Sequence, residues 1–225
     1  MSTTNHTARH VVLPDSLKQI ALTEIRRRIF AREIEPGARI EQEPLAEEIG
    51  MSKIPVREAL SALVAEGLVE IIPRRGAFVV PLSKTDIEDH YWMLAHISGR
   101  AAERAAQNLS EESLTELERL IERMESAAGE QERAQENFKF HSLINHAAQS
   151  PRILSVLRTL GSPIPLEFYE SNTDMAAEAD AEHRDLLDAL RSRSGPKARA
   201  AMEEHFLQGA EKAIEILEAQ GFWEK

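Results

Sequence analysis

The stretch Leu45-Ala46-Glu47-Glu48-Ile49-Gly50-Met51-Ser52-Lys53-Ile54-Pro55-Val56-Arg57-Glu58-Ala59-Leu60 decides the fold of the first third of this chain. It reads as a short helix from Pro44 closed by Gly50, a tight turn, and a second helix. Ser52 caps that second helix, and Pro55 is tolerated in its first turn, where a backbone N–H has no intrahelical partner. Cations stand near its start. This is the pattern of a helix-turn-helix, whose second helix enters the DNA major groove. Ten residues on, Ile71-Ile72-Pro73-Arg74-Arg75-Gly76-Ala77-Phe78-Val79-Val80 reads as a β-hairpin with an Arg-Arg-Gly tip. Gly76 would allow the tight turn, and Phe78 and Val80 share one side of the second strand. A helix-turn-helix followed by a basic hairpin is the winged form of the motif.

Upstream, Leu17, Ile20, Ala21, Ile25 and Ile29 follow helical spacing, with Asp15 or Ser16 as the cap and Glu35-Pro36-Gly37 as the stop. Downstream, Leu60, Leu63 and Val64 extend the buried face of the second helix, and Gly67 ends it. After Pro81-Leu82-Ser83 the character changes and no further strand is predicted. Ser83 opens a helix to about Asn108. Ser110-Glu111-Glu112 opens another with an acidic first turn, and Leu114, Leu117, Ile121 and Met124 form its stripe. Further helices are expected from about Glu130 to Gln149, from Pro151, from about Met175 to Arg193 and from Pro196 to Gln220. Pro163 and Pro165 interrupt the sequence between the second and third of these. The expected fold is mainly α: a winged helix-turn-helix of three helices plus a hairpin, then an all-α antiparallel bundle of about six helices. The expected division is a flexible 1–12, a DNA-binding 13–80, a linker 81–84 and a helical 85–225.

Charge supports two parts. The chain carries a formal net charge of -11. Residues 1–80 hold 11 Lys+Arg and 11 Asp+Glu, so the remainder carries all of that charge. An acidic body repels phosphate, which leaves a local basic surface on the smaller part to meet DNA. There is no Cys, which excludes disulfides and thiolate metal sites. No apolar run is long enough for a membrane span, and Met1 to His10 is polar; the expected location is the cytoplasm.

Two constellations carry chemistry. Lys53 and Arg57 are four apart and share a helix face. Arg57 can donate two hydrogen bonds to a guanine, and Lys53 suits a phosphate or a guanine. Arg74 and Arg75 can reach the minor groove or backbone from the wing. The competing reading pairs Arg57 with Glu58 or Glu47 on the surface. The second constellation is histidine. Asn137 and His141 share one helical face, Glu182-His183 lies near the start of a later helix ahead of Leu186, Leu187 and Leu190, and Glu204-His205 lies on the last. Three His on three helices can converge on a divalent metal, zinc or nickel, in a bundle core. Their separations fit no short metal motif, so three unrelated core or surface histidines remain the alternative. A third reading, a metal-dependent hydrolase, needs a general base, and Glu182 or Glu204 are the adjacent carboxylates.

As a set, Gly37-Ala38-Arg39-Ile40, Leu45-Ala46, Gly50 to Leu60, Glu66-Gly67-Leu68-Val69 and Arg74-Arg75-Gly76 resemble the GntR-family winged helix of bacterial transcription regulators. The resemblance spans about residues 13–80. It implies DNA contacts from Ser52, Lys53, Pro55, Arg57, Arg74, Arg75 and Gly76, with Arg57 reading bases and Lys53 in place of the usual Arg. Glu43 stands where some members carry a DNA-contacting Arg. Residues 84–225 resemble the all-helical FCD effector domain of the FadR branch, with the shorter helix count of the VanR subgroup. Metal-binding members place an Asp or Asn four before a His, then a His after Glu, then a His on the last helix. Asn137, His141, His183 and His205 match that pattern, with the amide the weakest ligand. Leu94 and Ser98 stand at effector-pocket positions, beside which Tyr91, Trp92, His96 and Arg100 can line a differently shaped pocket; the alternative is that Tyr91 and Trp92 only pack this helix against the winged domain. Leu94 and Ser98 replace an Arg and a Glu carried by many members, so a carboxylic-acid effector would lack its usual partner. The resemblance implies a homodimeric repressor on a palindromic operator, answering to a small metabolite bound beside the metal. The alternative makes the metal itself the signal.

Overall fold

The computed structural model describes residues 16–161 and 173–224. Asp15, Pro163, Pro165 and the expected flexible 1–12 fall outside them. The head consists of α1 (Leu17–Phe30), β1 (Arg39–Ile40), α2 (Gln42–Glu48), α3 (Lys53–Ala65), β2 (Val69–Ile72) and β3 (Gly76–Val79). The body consists of α4 (Lys84–Asn108), α5 (Glu111–Ser126), α6 (Glu130–Ala147), α7 (Pro151–Leu160), α8 (Thr173–Arg191) and α9 (Gly195–Ala219). A winged helix and a six-helix all-α part are what the sequence pattern demanded. The structure adds β1, which makes a three-stranded antiparallel sheet in the order β1-β3-β2. Arg39 pairs with Phe78, and Ile72 with Gly76.

Local chemistry sets the element ends. Ser16 caps α1 by accepting from the Gln19 amide at 3.2 Å. Ser83 and Asp86 form a reciprocal capping box at the start of α4. Ser110 caps α5, and Ser150 with Pro151 starts α7. Ser52 occupies the cap position of α3, yet its hydroxyl makes no capping hydrogen bond. At the wing tip both Arg74, with φ at 64°, and Gly76, with φ at 112°, have positive φ, and the Arg75 amide donates to the Ile72 carbonyl at 3.0 Å. Gly76 is already in β3. A Cβ there would lie 3.0 Å from Arg39 Nε, so its role is also to admit that side chain.

Burial corrects the expected faces at their margins. Ala21, Ile25 and Ile29 of α1 are buried, but Leu17 and Ile20 are exposed, so the core begins one turn later. In α3 the buried row is Val56, Ala59, Leu60 and Leu63. Val64 falls outside it because 3.6-residue periodicity carries it to the rim. In β3 the buried side is Ala77 and Val79, opposite Phe78. The α5 stripe and the α8 leucines are buried as their spacing required.

Two apolar clusters result. The body's cluster gathers α4, α5, α6, α8 and α9 around Leu117, Ile121, Phe140, Ile144, Leu186 and Met202. The head's cluster does not stop at Pro81. It continues into Ile87 and Tyr91 of α4, into Ala213 and Leu217 near the end of α9, and into Phe222 just beyond it. The last residues fasten this seam. Phe222 stacks on Phe30 with ring centroids 5.7 Å apart, and Trp223 Nε1 donates to the Leu82 carbonyl at 2.9 Å. Among the described residues, no helix is long and apolar enough to cross a membrane.

Candidate functional site

The outward row of α3 holds Lys53, Ile54, Arg57, Glu58 and Ser61, opposite the buried row that anchors the helix. Arg57 is exposed and forms no ion pair, so neither Glu47 nor Glu58 neutralises it. The rest of the head makes this notable. Arg26 pairs with Glu66, Arg27 and Arg28 with Glu24, Arg32 with Glu35, and Arg39 with Glu41. Among the head's described cations only Lys18, Arg57, Arg74 and Arg75 lack a carboxylate partner. Arg75 lies over the Phe78 ring at 5.5 Å, which holds it in the wing without neutralising it. Lys53 differs: Glu43 of α2 forms an ion pair with it. Pro55 is buried, so it shapes the first turn and offers no contact surface. Ser52 is exposed beside Lys53, and Gly76 is half-buried at the wing.

The three histidines converge. His141 of α6, His183 of α8 and His205 of α9 each bring a ring nitrogen to a common point, with these atoms all within 4.8 Å of one another. His141 Nε2 and His183 Nε2 face each other at 3.4 Å. Two nitrogens bound tetrahedrally at about 2.0–2.1 Å would stand about 3.3–3.4 Å apart, so the spacing suits a shared cation. His183 is buried, and Phe140 and Phe206 wall the cluster. Asn137 sits one turn before His141, and its Oδ1 is buried without a hydrogen-bond partner. A buried orphaned carbonyl oxygen costs about 1–3 kcal/mol unless something binds it. The three converging imidazoles form a donor set that fits a divalent cation, and the Asn137 oxygen is a buried acceptor one turn from His141.

Electrostatics favours the metal-ready state. Burial pushes the His141 and His183 imidazoles well below their ordinary range, with the neighbouring His205 adding to both. Both are therefore neutral at neutral pH, with lone pairs available. Glu182 orients His205: Nδ1 donates to Glu182 Oε2 at 2.7 Å, leaving Nε2 as the free nitrogen. Lys212 donates to the other oxygen at 2.8 Å. Burial pushes the Glu182 carboxyl up, but these two hydrogen bonds outweigh it and hold the group below the usual carboxylate range. A carboxylate so engaged is a poor general base, and Glu204 is exposed and bonded to Gln208.

The expected pocket residues do not share one surface. Tyr91, Leu94 and Ser98 lie on the buried face of α4. Tyr91 belongs to the head's apolar cluster, where Gly209 lets it approach α9. His96 lies off that face, stacked on the exposed Trp92 with centroids 4.2 Å apart and bonded to its own helix. The Ser98 hydroxyl is buried without a partner, as is Asn145 Oδ1, one turn after His141. Asn145, Glu182 as an orienting group, and Lys212 were not singled out by spacing. The i, i+4 offset from His141 was the available signal for Asn145.

Comparison with known proteins follows the same division. The model described as "Bacterial regulatory proteins, gntR family" matches residues 17–79, and the FCD domain model matches residues 89–208. The HTH-type transcriptional regulator YdhC of Bacillus subtilis is 26% identical over 201 residues, covering 87% of this chain and 90% of its own. The HTH-type transcriptional repressor RspR of Escherichia coli is 25% identical over 205 residues, covering 88% and 90%. Among solved structures, E. coli McbR/YncC is 27% identical with a TM-score of 0.67, covering 92% of this chain and 99% of the other.

Proposed function

The chain belongs to the GntR family of bacterial regulatory proteins, with an FCD domain as its body, and from that premise we propose how this transcription regulator works. It binds a palindromic operator as a homodimer and acts as a repressor, as the name of its relative RspR suggests. We assign it to the VanR-like subgroup, a reading that the six helices of the body support. Arg57 reads base edges, Lys53 joins it once Glu43 is displaced, and Arg74 and Arg75 hold the groove or backbone beside the wing.

His141, His183 and His205, with Asn137, hold one zinc or nickel ion, and the effector is a small metabolite bound beside it. The convergence of three imidazoles from three helices carries this reading. The metal would supply a Lewis-acidic position for a donor atom of the effector. The chain's own residues orient the site: Glu182 fixes the His205 ring, and Phe140 and Phe206 limit water. The cations bearing on His183, Arg133 and Lys212, are each engaged by a carboxylate. A carboxylic acid therefore has no obvious partner here beyond the metal.

Helix α9 links input to output. It carries His205 in the body, and Ala213 and Leu217 in the head's apolar cluster. An effector that favours one placement of α9 changes the seating of the head, and with it operator affinity. The test is native mass spectrometry and elemental analysis of purified protein, followed by operator titrations before and after chelation. One ion per chain, a dimer mass and a change in operator affinity on metal removal or effector addition are expected. A chain that binds neither zinc nor nickel defeats the metal assignment. A response to metal alone, with no small molecule needed, makes the ion the signal.

A further inference from the structure

Ile54 is not accounted for by the stability of the head. It stands in the first turn of α3 and is 60% exposed, while Pro55 and Val56, which follow it, are buried. It belongs to neither apolar cluster. Its helical neighbours one turn on are Arg57 and Glu58, so no apolar side chain of α3 shields it. A β-branched residue brings no helix propensity to compensate for this exposure. Nor is it part of a larger apolar patch on the helix. Val64, the other exposed large hydrophobe of α3, is ten residues on, about 15 Å along the axis.

Ile54 shares the outward row with Arg57, at the helix end whose residues meet base edges when such a helix enters the major groove. The edges there are donors and acceptors with one exception, the C5 methyl of thymine. We propose that Ile54 packs on that methyl and selects a thymine beside the guanine contacted by Arg57, making it a specificity-determining residue. This rests on the reading of α3 as the recognition helix. It adds a shape-and-apolarity criterion to the charge-based contacts of Arg57.

The test uses the full-length protein and a duplex it selects from a random-sequence pool. Each thymine of the selected half-site is replaced by uracil, which removes only the methyl. One symmetry-related position should weaken wild-type binding by about fourfold per half-site, the factor for one buried methyl-sized group. Ile54→Ala should bind the thymine and uracil duplexes alike at that position, and Ile54→Val should keep most of the preference. Circular dichroism and low-salt binding to unrelated DNA should be unchanged in both variants, since the side chain supports no core. The proposal is overturned if no thymine is sensitive, or if Ile54→Ala keeps the wild-type thymine-to-uracil ratio. A wild-type protein that selects no sequence overturns the recognition-helix reading and this proposal together. Selection without thymine sensitivity overturns this proposal alone.

Discussion

Arg57, Arg74 and Arg75 in the head and Asn137, His141 and His183 in the body share one property: each keeps side-chain polar atoms without a hydrogen-bond or ion-pair partner. The difference is where. In the head the free groups are exposed cations, on a surface where most of the other cations are neutralised by Glu. In the body they are buried neutral donors and acceptors, behind a surface laced with ion pairs. Folded proteins satisfy most buried polar groups and screen most exposed charges, so such exceptions are the candidates for binding something else. An exposed free cation suits a large polyanion arriving from outside. A buried cluster of lone pairs suits a small cation held inside.

The sharpest way to break this contrast is to remove one free group from each part and look for an effect on the other. Arg57→Ala should weaken operator binding by about 100-fold or more, with two heads each losing a bidentate base contact, while metal content is unchanged. Undiminished sequence-specific binding would remove Arg57 from the interface. Glu182→Gln leaves His205 without its carboxylate. It should lower metal affinity by about 10- to 100-fold, measured by competition with a chelator, and leave low-salt DNA binding intact. If metal affinity is unchanged, Glu182 does not position a ligand.

Smaller effects test how the head's charges are rationed. Glu43→Gln frees Lys53 and should steepen the dependence of log affinity on log salt by about 1 per head, whereas Arg75→Ala should reduce it by about 1. Equal slopes for all three proteins would mean that neither cation meets phosphate. The smallest effect lies at the seam. Burial, and then the neighbouring Arg26, push His90 of α4 below its ordinary value of 6.5. The unfolded chain therefore takes up that proton first as pH falls. The stability His90 permits is present above pH 6.5 and is lost progressively below it. His90→Gln should flatten the fall in Tm between about pH 7 and 5.5. An identical pH profile would show that His90 takes up its proton at the same pH in the folded and the unfolded chain.

The two parts also differ in what their residues disclosed. The head was readable because its determinants are local. Gly50, Ser52, Pro55 and Arg57 lie within one helix-turn-helix, and Arg74-Arg75-Gly76 within one hairpin. Strand β1 escaped notice because two residues carry no periodicity. Helical spacing located the buried faces of α1 and α3 but not their limits, so Leu17, Ile20 and Val64 came out exposed. Burial at a helix end depends on what lies beyond it. The histidines were visible one by one, their convergence was one of two open readings, and family resemblance favoured it. Nothing in the spacing of His141, His183 and His205 requires three helices to meet at their level.

The sequence by itself determined that a capped helix-turn-helix with a basic hairpin precedes a bundle of amphipathic helices, because capping, turn chemistry and periodicity act over a few residues. Only the tertiary structure decided which of the head's arginines are free: several pair with a Glu within four residues, but Arg26 pairs with the distant Glu66, and Arg57 leaves its near neighbour Glu58 unpaired. It also decided that three histidines share one point, and that Glu182 and Lys212 stand behind them. Those relations depend on the packing of whole helices, which no local pattern encodes.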